Sequence, residues 1–183
     1  MRALDLGCGP GDDTHTLALW GHRVTAVDVS KPAILASTQS TPGATHVALD
    51  LRKLPGPLAP GFEIVVASLS LHYFDEADTR RIFEAIRRLL APQGVFAFRV
   101  NAEDDFNHGA AGSHEAWSLT THNGRQKQFF TEAKIRGLLE GWAEIERLEK
   151  RNTLRFGAAK SLFEVVAAKF AIRGVIAEVG FAV

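Results

Sequence analysis

Leu4-Asp5-Leu6-Gly7-Cys8-Gly9-Pro10-Gly11-Asp12 decides the reading of this chain. A clipped apolar strand, Leu4–Leu6, turns sharply into a helix predicted over Asp12–Trp20, with Asp12 or Asp13 set to cap its free N–H groups. Glycines at 7, 9 and 11 let a ligand approach the backbone with no Cβ in the way. A nucleotide-type cofactor suits such a turn. The dinucleotide fingerprint G-x-G-x-x-G needs its third glycine at position 12, which is Asp12. A carboxylate beside a pyrophosphate adds repulsion where that fold offers bare N–H groups, so nicotinamide and flavin dinucleotides are disfavoured. The Walker pattern also fails, because no Gly-Lys-Ser/Thr follows. A cofactor with no phosphate and a net positive sulfur is the better fit.

Working outward, Val24–Val27 reads as a second strand and residues 31–39 as a helix with Pro32 in its first turn, where a missing N–H costs nothing. Thr45–Leu49 and Glu63–Ser68 are a third and a fourth strand, separated by a loop rich in proline and glycine. The clearest helix is Asp75–Ala91. Ile82, Phe83, Ile86, Leu89 and Leu90 share one side, while Arg80, Arg81, Arg87 and Arg88 fall on a solvent face interleaved with acids. Pro92 and Gly94 stop it, and Gly94–Val100 is a fifth strand. Apolar runs bounded by turns suit a parallel sheet buried on both faces, and the strand–helix alternation implies an open α/β sheet with right-handed crossovers. Residues 101–128 break the pattern and read as a lid or substrate loop, with disorder as the competing reading. Thr131–Glu140 is then a helix, and Ala143–Lys150 and Ser161–Phe170 are strands joined closely enough to pair antiparallel at the sheet edge.

Leu4–Asp12 resembles the first motif of the class I S-adenosylmethionine-dependent methyltransferases, small-molecule type. Further matches follow in order. Asp28, followed by Val29, ends the second strand where the family's acidic residue holds both ribose hydroxyls, a task that suits a two-oxygen acceptor. Asp50-Leu51 matches the pair that meets the adenine edge, and Ser68-Leu69 opens the segment (SLSLHYF) that lies beside the methionine end. The passage from Phe130 to Trp142 resembles the late helix-to-strand segment of many small-molecule members, and there is a weaker resemblance to the tellurite-resistance-type methyltransferases. The resemblance covers residues 3–170 and implies S-adenosylmethionine as cofactor, S-adenosylhomocysteine as product, and a three-layer Rossmann-like α/β fold. Its sheet would be seven-stranded, mostly parallel, with an antiparallel edge strand. It also implies a cofactor loop of Gly7, Cys8, Gly9, Pro10 and Gly11. Family members carry helices ahead of the first strand; here the cover is expected from 101–128, from another subunit, or from a segment upstream. The chain 1–183 reads as one methyltransferase domain, with 171–183 left as an extra helix, a homodimer contact or a frayed end.

Asp5 sits in a strand among apolar neighbours, so burial demands partners, expected in the glycine-loop N–H groups or the cofactor's amino group. Cys8 reads as a small loop side chain, not a nucleophile. His72 and Tyr73 are the catalytic candidates. Methyl transfer is an in-line displacement whose main demands are alignment and exclusion of water, and a base such as His72 serves only an acceptor that must lose a proton. Packing without proton transfer is the competing role for His72. His108, His114 and His122, spaced 6 and 8 apart, fit no compact metal-ligand pattern, so no metal is expected. Arg125 and Lys127 are either contacts for an anionic acceptor or solvated charge.

Composition bounds the rest. Hydrophobic residues make up 46% and charged residues 23%, as in ordinary globular proteins. Basic and acidic residues balance at 21 each, so no global field favours nucleic acid or an anionic membrane. The single cysteine excludes an intrachain disulfide, which fits a reducing cytoplasm. No Asn/Asp-Pro-Pro-Tyr-type segment follows the fourth strand, which in the family argues against base or glutamine amide acceptors. The expected activity is methyl transfer from S-adenosylmethionine to a small-molecule acceptor. The alternative is a non-catalytic or truncated protein that binds S-adenosylmethionine or S-adenosylhomocysteine.

Overall fold

A computed structural model describes residues 1–110, 120–122, 124–155 and 157–169. The segment 171–183 and His114 lie outside the described residues, as does the side chain of His122. The elements run β1 (Arg2–Leu6), α1 (Asp12–Leu19), β2 (Arg23–Asp28), α2 (Lys31–Ser40), β3 (Thr45–Ala48), β4 (Phe62–Ser68), α3 (Glu76–Leu89) and β5 (Leu90–Asn101). They continue with β6 (Thr120–His122), β7 (Arg125–Lys127), α4 (Glu132–Leu138), β8 (Glu144–Arg155) and β9 (Ala158–Ala168). Seven strands form one sheet in the order β3-β2-β1-β4-β5-β9-β8, parallel from β3 to β5, with β9 antiparallel to both its neighbours. The expected three-layer arrangement with an antiparallel edge is present.

Alternation along each strand builds the layers. Leu4, Leu6, Val65, Ala67, Phe96 and Phe98 point to one face, where they meet Ile82, Phe83 and Ile86 of α3 and Ile135 of α4 in the main core. Ala3, Ile64, Val66 and Val95 point to the other, against Leu17 of α1. The stripe expected on α3 is buried, with Ile82, Phe83, Ile86 and Leu89 at most 2% exposed. Asp75 caps α3 by accepting from the Asp78 N–H at 2.8 Å, Ser30 caps α2, and Thr131 caps α4.

Several boundaries differ from the sequence reading. The cap of α1 is Gly11 at φ +104° with no side-chain hydrogen bond, so neither Asp12 nor Asp13 caps it; both lie in the first turn, where carboxylates suit the helix dipole. β5 starts at Leu90 and runs through Pro92 and Gly94 beside a register shift at Phe62/Ile64. β8 continues past Lys150 to Arg155, and β9 begins at Ala158. The polar stretch holds a small antiparallel hairpin, β6–β7. No helix among the described residues is long and apolar enough to cross a membrane.

Candidate active site

Strand order reverses between β1 and β4, and the carboxyl ends of the parallel strands open there into a cleft of about 1410 Å³. Its first wall is the loop after β1. Gly7 and Cys8 donate their N–H groups to the Val27 carbonyl at 2.7 and 3.0 Å, which ties the loop to the end of β2. Gly7 has φ +74°, and a Cβ there would meet the Ser70 Cβ at 2.2 Å; Gly11 likewise packs on Ser37. Gly9 differs: at φ +54° it has nothing within 4 Å of a built Cβ, so its bare backbone faces open space. Pro10 completes this wall.

Asp28 stands at the end of β2. Its carboxylate accepts from the Gly9 N–H at 3.0 Å and the Ser30 N–H at 2.8 Å, one bond to each oxygen, which fixes its orientation and leaves further acceptor capacity. Ser30, not Asp28, accepts from the Ala33 N–H and caps the following helix. Val29 is 68% exposed on the same wall. Asp50 and Leu51 line the next part. Asp50 accepts from the Arg52 N–H and its guanidinium, and that hydrogen bond holds the carboxyl below the usual range.

Ser68 and Leu69 line the cleft after β4, with Ser70 donating to the Leu6 carbonyl at 2.7 Å. Leu69 has φ +54°, the one non-glycine residue with positive φ among the described residues, and its N–H donates to Arg99 O at 2.9 Å. Ser68 accepts from Arg99 Nε at 3.0 Å, and Arg99 Nη2 lies 3.8 Å from Asp13. Tyr73 is 40% exposed on the cleft wall. His72 is 3% exposed, is not part of that wall, and packs its ring 4.2 Å from the Tyr73 ring. The two catalytic candidates therefore separate: one faces the cleft and the other lies behind it.

Asp5 also lies behind the wall. It is 1% exposed and accepts from the Thr14 hydroxyl of α1 at 2.6 Å, so its partner is the helix rather than the glycine loop. Burial pushes its carboxyl up to about 7, against the opposing Thr14 hydrogen bond, with Asp13 and Asp28 adding to the rise. Burial likewise pushes the Cys8 thiol up to about 12, which keeps it protonated and unreactive.

The far wall was not read from the sequence. β5, β8 and β9 contribute Arg99, Arg147, Arg151, Lys160 and Glu164, and the segment before Gln128 contributes Gln126. Of the two basic residues singled out beside it, Lys127 is not on the wall and the Arg125 side chain is not described. Arg99 did carry a signal, as a lone charge inside the apolar run GVFAFRV. Among the described residues no group of three or more His, Cys, Asp or Glu could hold a metal ion.

A family model for the methyltransferase domain matches residues 3–94, half of the chain. A malonyl-[acyl-carrier protein] O-methyltransferase of Pseudescherichia vulneris is 29% identical over 141 residues, which are 76% of this chain and 53% of that protein. The chain spans about half the length of the curated relatives it matches. The crystal structure of a S-adenosylmethionine-dependent methyltransferase from Methanosarcina mazei superposes with a TM-score of 0.76 at 20% identity, covering 92% of each chain. A 1,6-didemethyltoxoflavin-N1-methyltransferase from Burkholderia thailandensis, solved with S-adenosylhomocysteine, superposes with a TM-score of 0.71 at 25% identity over 93% of this chain and 71% of that one. By its first ninety residues and by its sheet order, this chain belongs to the class I S-adenosylmethionine-dependent methyltransferase family.

Proposed function

We propose that this chain transfers a methyl group from S-adenosylmethionine to a small-molecule acceptor in the cytoplasm. The observation that carries the reading is the pairing of Gly9 with Asp28. A backbone with open space above it lies one hydrogen bond from a fixed carboxylate at the end of β2. A carboxylate acceptor beside open backbone suits a nucleoside with two ribose hydroxyls and no phosphate. The cofactor, when bound, supplies an electrophilic methyl group on a sulfonium. Asp28 then accepts from the ribose hydroxyls, Asp50 and Leu51 meet the adenine, and Gly7 to Gly11 with Ser68 and Leu69 hold the methionine portion. Tyr73 borders the acceptor and excludes water, and His72 orients Tyr73 by packing against it. The names of two matched proteins, for malonyl-[acyl-carrier protein] and 1,6-didemethyltoxoflavin, point toward acyl and heterocyclic acceptors.

Calorimetric titration with S-adenosylmethionine and S-adenosylhomocysteine tests the reading. Both are expected to bind, and Asp28→Ala is expected to weaken each by ~1–3 kcal/mol, the usual loss for a charged hydrogen-bonding partner. Absence of binding to either compound refutes the proposal, and unaltered affinity in the variant removes Asp28 from it.

A further inference from the structure

Charge on the cleft wall is sorted by element. Around the first turn of α1, the ends of β2 and β3 and the start of α3 it is acidic, with Asp12, Asp13, Asp28, Asp50, Asp75 and Asp78 against Arg52. On β5, β8 and β9 it is basic, with Arg99, Arg147, Arg151 and Lys160 against Glu164. Strand register puts these side chains on one sheet face: Arg99 is paired with Glu164, Arg151 with Leu162, and Lys160 with Thr153. Asp13, from the first turn of α1, faces Arg99 at 3.8 Å.

Arg147 and Arg151 are bound in ways that a ligand can exchange, whereas Arg99 is held by Ser68 with its side chain 16% exposed. Arg151 lies between Glu149 at 2.7 Å and Glu164 at 2.9 Å with its side chain 49% exposed. Arg147 is 39% exposed and 4.0 Å from Glu149. Ion pairs that open to water contribute little and are readily replaced, and a guanidinium fork matches the two oxygens of a carboxylate. Lys160, by contrast, is 5% exposed and held by Asn101 at 2.7 Å and Asp105 at 2.9 Å, which fixes the floor of the same wall. The placement of His72 agrees with an anionic acceptor. A carboxylate is already deprotonated near neutral pH and needs no base, and His72 lies behind the wall.

Resting on the methyl-transfer reading, we propose that the β5–β9–β8 wall binds an acceptor bearing a carboxylate, held by Arg147 and Arg151 at the rim and by Arg99 deeper in the cleft. The carboxylate could belong to a free polycarboxylic acid or to an acyl thioester, and the test carries an arm for each. The full chain saturated with S-adenosylhomocysteine is titrated with tricarballylate, malonyl-pantetheine, the neutral trimethyl ester of tricarballylate, and putrescine. At least one carboxylate is expected to bind, with the ester and the diamine about tenfold weaker or worse. The double variant Arg147→Gln/Arg151→Gln is expected to lose about tenfold in carboxylate affinity while its S-adenosylhomocysteine affinity and Tm stay near those of the parent. Equal binding of the ester, preference for putrescine, an unaffected double variant, or no saturation by either carboxylate below about 10 mM each overturns the proposal. Loss of S-adenosylhomocysteine binding in the parent chain is read in its own titration and overturns the methyl-transfer reading together with this one.

Discussion

At the scale of single residues, three positions in one nine-residue stretch serve three different ends. Gly7 and Gly9 both have positive φ, yet only Gly7 is crowded, by Ser70. Gly7→Ala combines backbone strain with overpacking, each worth ~1–3 kcal/mol, and is expected to lower Tm sharply. Gly9→Ala carries only the strain, ~1–2 kcal/mol, but puts a methyl group where the cofactor would rest. Its expected signature in calorimetry is a folded protein with S-adenosylhomocysteine affinity reduced about tenfold or more. Retained affinity in Gly9→Ala would show that the loop does not touch the ligand. Asp5 supplies a pH dependence. Its folded carboxyl titrates at about 7 against an ordinary value of 3.8, chiefly through burial, so the folded chain holds this proton more tightly than the unfolded chain. The stabilisation is complete below pH 3.8 and is lost as pH rises toward about 7. Asp5→Asn keeps an acceptor for the Thr14 hydroxyl without the charge. Its stability relative to the parent is expected to climb between pH about 4 and 7, by a few kcal/mol on the order of 1.4 per pKa unit, and then level off. Scanning calorimetry across that range checks it, and a constant difference would remove Asp5 as the titrating group.

At the scale of elements, regular periodicity was legible and its absence was not. The glycine turn and the apolar stripe of α3 each carry a local rule that tertiary packing did not overrule, whereas the cap expected of Asp12 or Asp13 falls to Gly11. β8 runs past Lys150 because Arg151, Asn152 and Thr153, which look like loop, lie on an edge strand, where polar and charged residues are tolerated. Leu71–Tyr73 forms a single tight turn, too short for any repeat to say which side chain faces the cleft, so His72 and Tyr73 could not be separated from sequence. What orients that turn comes from far along the chain. Gln128, fully buried, donates its N–H to His72 O at 2.8 Å and its side-chain amide to Phe74 O at 2.8 Å and Thr79 Oγ1 at 2.9 Å. It thereby clamps the end of the polar stretch to the turn beside Tyr73 and to the first turn of α3. Gln128→Ala leaves one buried and one half-buried partner without their donor and is expected to cost ~2–3 kcal/mol, with faster amide exchange localised to residues 72–79. Exchange that is unchanged there, or raised evenly across the molecule, would show that Gln128 fills space and does not clamp.

At the scale of the whole molecule, the family match ends at Gly94, but the core does not. β5 is paired along Val95–Asn101 with β9, and β9 is covered in turn by β8. Phe96 and Phe98 stack at 4.7 Å, and Phe96 lies 5.8 Å from Trp142. Phe163, Val165 and Ala167 of β9 sit in the same apolar cluster as Phe83 and Ile86 of α3. The two sides of the cleft are therefore built on one core, and the second half of the chain is a condition for the first. A chain ended after Asn101 would turn β5 into a bare edge and strip one side of Phe96, Phe98 and Val100. Exposing side chains of that size costs ~1.5–3 kcal/mol each, and their sum rivals the ~5–15 kcal/mol that holds a typical domain together. The fragment 1–101 is accordingly expected to show no cooperative thermal transition and no S-adenosylhomocysteine binding, whereas the full chain shows both. A sharp transition in the fragment would mean that β1–β5 and their helices are self-sufficient. In that event β8 and β9 would have to be understood as an acceptor-binding appendage set on a complete cofactor-binding unit, rather than as part of the core that supports it.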